Sequence, residues 1–139
     1  MTHPQLSRLR DWPERFDSLL RARAHTPFAW GRNDCCIFAA DVVHAITGHD
    51  PLAALRGLYA GKRDAQRLLA TLGGYEAAIT GVLGPRISSM QATVGDVLLI
   101  TNAGRPLLAV CNGTSAVAPG PAGLLCAPVV DVLGAWRVA

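Results

Sequence analysis

The sequence has no run approaching the roughly 18 consecutive apolar residues that a membrane-spanning helix needs. Its first ten residues, Met1 to Arg10, hold no apolar stretch of the kind that opens a secretory signal. A chain without a membrane span, starting in a cytoplasm, is expected. A basic stripe interleaved with aromatics is also missing. The net charge of +3 comes from arginines that lie before residue 87 and are mixed with acids, the pattern of a solvated helical surface rather than a nucleic-acid face. Cys35, Cys36, Cys111 and Cys126 form no Cys-x-x-Cys pair, so no metal is expected and reduced thiols are. There is no Gly-rich phosphate loop, no Gly-x-Ser-x-Gly and no paired-carboxylate motif, so no cofactor is expected either. Histidine is absent beyond His49; the others are His3, His25 and His44.

What is present suits one domain spanning 1–139. A chain of this length buries roughly 70% of the surface it exposes when unfolded, and half of its residues are apolar, which argues against disorder. The texture changes once. From about residue 11 to 83 it is helical, and from about 94 to 138 it is short strands and turns, which gives an α+β domain with helices packed on a small antiparallel sheet.

Asp11-Trp12-Pro13-Glu14 has the form of a capping box opening a first helix that fades near His25. Asn33 or Asp34 then caps a second helix, apolar nearly all round from Cys35 to Ile46 and stopped by Gly48. Further helices are expected over Pro51–Tyr59, Asp64–Leu72 and Tyr75–Leu83. Strands are expected at Val97–Ile100, Pro106–Cys111, Ser115–Ala118, Leu124–Ala127 and Gly134–Val138. Asp41, inside the apolar helix, needs a cationic partner, for which Arg56 is the candidate.

The stretch Phe28-Ala29-Trp30-Gly31-Arg32-Asn33-Asp34-Cys35 carries the chemistry. A cysteine in the first turn of a buried helix faces oriented backbone N–H groups that favour its thiolate. Trp30 is placed to line a cleft beside it, and Asp34 to cap the helix.

This stretch resembles the cysteine motif of the NlpC/P60 hydrolases, in which an aromatic-x-Trp-Gly loop leads into Asp-Cys at a helix start, and Gly95-Asp96 resembles the Gly-Asp that opens their first strand. The resemblance implies a papain-like fold with Cys35 at the nucleophile position. It also implies a histidine at the start of the second strand, and counting back from Gly113 puts Leu107 there. Leucine supplies neither the base nor the acid of a Cys-His enzyme. His44 lies about 13 Å along the helix from Cys35 at 1.5 Å per residue, out of reach. His25 remains as a substitute.

A second resemblance covers nearly the whole chain. Pro27 to Cys35, Phe38-Ala39-Ala40-Asp41, Thr47-Gly48-His49-Asp50-Pro51, Arg56-Gly57-Leu58-Tyr59, Gly73-Gly74 and Ala135-Trp136-Arg137-Val138 are similar to a group of small uncharacterised proteins encoded among bacteriophage tail genes. It implies a virion protein of the tail tip or of tail assembly, partnered by other tail proteins and built on a degenerate NlpC/P60 domain. The alternative expectation is a cysteine peptidase or amidase that cuts peptidoglycan stem peptides with Cys35.

Overall fold

The computed structural model describes residues 5–129 and 132–139. Four helices, α1 (Trp12–Arg23), α2 (Cys35–Thr47), α3 (Lys62–Thr71) and α4 (Tyr75–Leu83), precede five strands. These are β1 (Val97–Asn102), β2 (Arg105–Cys111), β3 (Ser115–Gly120), β4 (Gly123–Pro128) and β5 (Val132–Trp136). All paired strands are antiparallel, in the order β4-β3-β2-β1-β5. No helix of the described residues is long and apolar enough to cross a membrane.

Alternation along the strands divides the apolar side chains into two clusters. On one face Val97, Leu99, Leu108, Val110 and Trp136 pack with Phe38, Val42 and Ile46 of α2, Phe16 of α1 and Ile79 of α4. On the other, Leu98, Ile100, Ala109, Cys111 and Ala135 are closed over by Ile87, Ala92, Val129 and Val132. The chain passes from Pro128 on one edge of the sheet to Val132 on the other. Four Cα steps reach about 15 Å, less than the about 19 Å across four inter-strand gaps of a flat sheet. The sheet therefore curls around the second cluster.

Several elements start or end elsewhere than the sequence predicts. Asp11 takes the N-cap position of α1 but makes no capping bond, because its carboxylate accepts from Arg15 Nε at 3.0 Å instead. Pro51–Tyr59 forms no helix. It is a run of overlapping turns, with the Asp50 side chain accepting from the Leu52 N–H at 3.0 Å and from Arg56 at 2.8 Å. The Asp50 bond is that of a helix cap, but the turns it opens do not continue as a regular helix. The third helix begins at Lys62, two residues before the expected Asp64.

Asp41 pairs with Arg56 at 2.6 Å, as expected, and with Arg23 at 2.6 Å. Arg56 also binds Asp50, and it holds that carboxyl below its ordinary range. This chain of ion pairs ties α1, α2 and the turn segment together.

Gly95-Asp96 has a structural explanation. Gly95 adopts φ +91°, and a Cβ there would lie 2.7 Å from Ile46 Cδ1, so only glycine lets α2 approach the start of β1. Asp96 is fully buried. Its Oδ1 accepts from Arg8 Nη2 at 3.1 Å and from the Val138 N–H at 3.0 Å, and its Oδ2 accepts from the Thr93 N–H at 2.9 Å. Arg8 also donates to the carbonyls of Val138 and Val94 and stacks on Trp12, 4.2 Å from the ring centre. Arg8 and Val138 are thus joined both directly and through the Asp96 carboxylate.

Candidate functional site

Asp34 caps α2. It accepts from the Ile37 N–H at 2.9 Å, from the Gly31 N–H at 2.9 Å and from the Tyr59 hydroxyl at 2.6 Å. Those bonds satisfy a carboxylate that is 2% exposed. They also fix the loop ahead of Cys35, where Gly31 at φ +77° lies so close to the Tyr59 carbonyl that a Cβ would collide with it. Asn33 braces the same loop, donating to the carbonyls of Thr26 and Pro27 and accepting from Arg23. The choice between Asn33 and Asp34 as cap is thus settled for Asp34.

Cys35 begins α2 and is half-buried. Its thiol ionises below the ordinary cysteine value. The main cause is a hydrogen bond from the Cys36 side chain, helped by the Leu108 N–H and the Tyr75 hydroxyl and opposed by burial and the Asp34 charge. The Tyr75 oxygen lies 4.0 Å from the sulfur. Cys36 is pushed the other way, chiefly by the same bond and by burial. Burial, followed by Cys35's charge, likewise raises Tyr75, so the phenol keeps its proton. The group is a thiolate-favouring pair with two proton donors and no base.

β2 pairs with β3 only at Val110 and Cys111, and Leu108, upstream of that ladder, packs in the same cluster as Cys35. Leu107, expected at the histidine position, packs instead with the cluster on the far face of the sheet. Adjacent strand residues point to opposite faces, so the β2 side chain packed in the cluster that holds Cys35 is Leu108. His25, His44 and His49 are exposed, and none lines the cavity at Cys35. His25 lies with its backbone against Gly123 at the tip of the β3–β4 hairpin.

That cavity has a volume of about 620 Å³ and is mostly apolar, and Trp30, Asp34, Cys35, Cys36 and Leu107 are all among its lining residues. Trp30 is 39% exposed and meets Phe28 edge-on at 4.8 Å. Among the described residues no cluster of three or more His, Cys, Asp or Glu is placed to hold a metal ion.

Sequence reasoning passed over Tyr59, Tyr75, Cys36 and Leu108. One signal was present: the chain has two tyrosines, and both converge here.

Cys36→Ala should return Cys35 towards the ordinary value near 9.0, because it removes the largest influence favouring the thiolate. The rate of Cys35 alkylation at pH 7, followed by mass spectrometry of the modified peptide, should fall by about fivefold. An unchanged rate would show that Cys36 does not donate to Cys35.

Comparison with curated proteins and with solved structures gives no match. A protein family does match, over residues 7–138, nearly the whole chain from just before Arg8 to Val138. The chain belongs to that family, described as Domain of unknown function (DUF6950).

Proposed function

We propose that this chain is a non-hydrolytic component of a bacteriophage tail, at the tip or in its assembly, built on a catalytically degenerate papain-like domain of the NlpC/P60 type. One observation carries the loss of catalysis. Cys35 stands at the start of a buried helix against the second strand, where a Cys-His hydrolase keeps its nucleophile, but its neighbours are Cys36, Tyr75 and the Leu108 backbone. A thiolate so placed can attack a carbonyl. Nothing beside it takes a proton from the water that must then release the acyl group, so turnover stalls. The tail role rests on the sequence resemblance, and the partners it implies are other tail proteins bound through exposed surface.

The second reading is a cysteine hydrolase acting on peptidoglycan stem peptides. The lowered ionisation of Cys35 favours it, and the missing base opposes it.

Particles carrying Cys35→Ala should assemble and infect at the wild-type titre, and the protein should be detected in purified virions. Loss of infectivity by a variant that melts at the wild-type temperature would overturn the structural reading. Leu108→His should rebuild a dyad, extending fast Cys35 alkylation about a pH unit or more lower through an imidazolium partner. Leu107→His, whose side chain packs with the cluster on the other face of the sheet, should shift the profile much less. The reverse pattern would mean that the register of β2 is wrong.

A further inference from the structure

We infer that the cavity beside Cys35 is a binding site for a single-chain amphiphile with an anionic head, such as a long-chain carboxylate. The inference is independent of whether Cys35 reacts.

The first observation is α3. Its apolar residues Ala65, Leu68 and Leu69, continued by Leu72 just after the helix, recur at helical spacing and all line the cavity, yet no residue of α3 is buried. An amphipathic helix whose apolar face meets empty space has not completed its packing. Opposite it, α2 presents small side chains, Ala39, Ala40 and Val43, which leave the space open. The volume of about 620 Å³ falls within the roughly 300–1,000 Å³ of small-molecule sites.

The second observation is the polar inventory of the walls. A peptide would need partners for its own N–H and C=O groups. The Asp34 carboxylate already serves Ile37, Gly31 and Tyr59, the Tyr59 hydroxyl is committed to Asp34, and the Tyr75 hydroxyl faces the Cys35 sulfur, which leaves a peptide the exposed amide side chains of Gln66 and Asn102 and few other partners. An alkyl chain makes no such demand and gains from burial.

The third is charge. The lining includes the cations Lys62 and Arg105, and among the described residues neither is in an ion pair. The one acidic residue in the lining is Asp34, already engaged. An anionic head has two cations to meet, and a cationic head has none of the opposite sign free.

Titration calorimetry of the full chain with dodecanoate tests this, with dodecyltrimethylammonium as the cationic counterpart of equal tail length. The expected result is saturable one-to-one binding of dodecanoate, at least tenfold tighter than the cation. Lys62→Glu/Arg105→Glu should weaken dodecanoate at least fivefold. Ala65→Trp, filling the space, and Leu69→Asp, making its wall polar, should abolish binding; neither side chain is buried, so both variants should keep the wild-type circular dichroism. Absence of saturable binding to the wild type would overturn the inference. So would undiminished affinity in both folded cavity variants, equal affinity for the two head groups, or preferential binding of an apolar peptide of similar length.

Discussion

Asp96→Ala is expected to destabilise the chain by about 4 kcal/mol, because it strands a partly buried cation and two backbone donors together. The Arg8 side chain is 18% exposed and the Asp96 side chain 0%. Burial lowers the Arg8 pKa, and Asp96 is the group that counters this. Without the carboxylate, the Arg8 guanidinium keeps two carbonyl acceptors and no counter-charge, and the N–H groups of Val138 and Thr93 lose their acceptor. Arg8→Ala should cost less, about 2 kcal/mol, since Asp96 would retain its backbone donors. Urea unfolding measures both. The loss should persist in 1 M salt, because a buried pair is screened far less than a surface one. A cost below about 1 kcal/mol for Asp96→Ala would mean that the chain ends are not held through this residue.

Asp34→Ala should cost about 3 kcal/mol, as one substitution removes the cap of α2 and the acceptor for Gly31 and Tyr59. Asp34→Asn retains an acceptor and should cost about half as much. The same change has an opposite effect on reactivity. The Asp34 charge raises the Cys35 pKa, so replacing it by a neutral amide favours the thiolate and should speed Cys35 alkylation at pH 7. A variant that is less stable yet more reactive at Cys35 is hard to obtain from general loosening, because Cys111 and Cys126 report on that in the same digest. Equal acceleration at all cysteines would mean that the helix start has simply opened.

The elements that were legible in the sequence are those whose signals are local. Gly48 stops α2 at φ +79° as expected, and α4 runs over Tyr75–Leu83 as expected. Where competition is decided by side chains, the sequence misled. The composition of Pro51–Tyr59 permits a helix, but Arg56 is drawn to the long-range partner Asp41 as well as to Asp50, and such a partner is not visible in the local sequence.

The facing of Leu107 was illegible for a different reason. Counting from a turn fixes a position along a strand only if the loop length is known, and one residue of error moves the side chain to the other face of the sheet. Here Asn112 Oδ1 gathers the N–H groups of Thr114 and Ser115 and closes a loop of its own between β2 and β3. The tyrosines were illegible as site residues because their meeting with Asp34 and Cys35 is long-range. The apolar stripe of α3 was legible as helix, but no sequence signal told a stripe that packs against a core from one that faces a cavity.

Cys35 is an ionisable thiol without a histidine beside it. The most direct test is its alkylation rate from pH 4 to pH 10, read on the modified peptide for the wild type and for His25→Ala, His44→Ala and His49→Ala. The expected result is one rising titration with a midpoint below the ordinary 9.0, superimposable in all four proteins. A two-step profile whose lower ionisation disappears in one of the histidine variants would contradict it and place a working base at the cysteine.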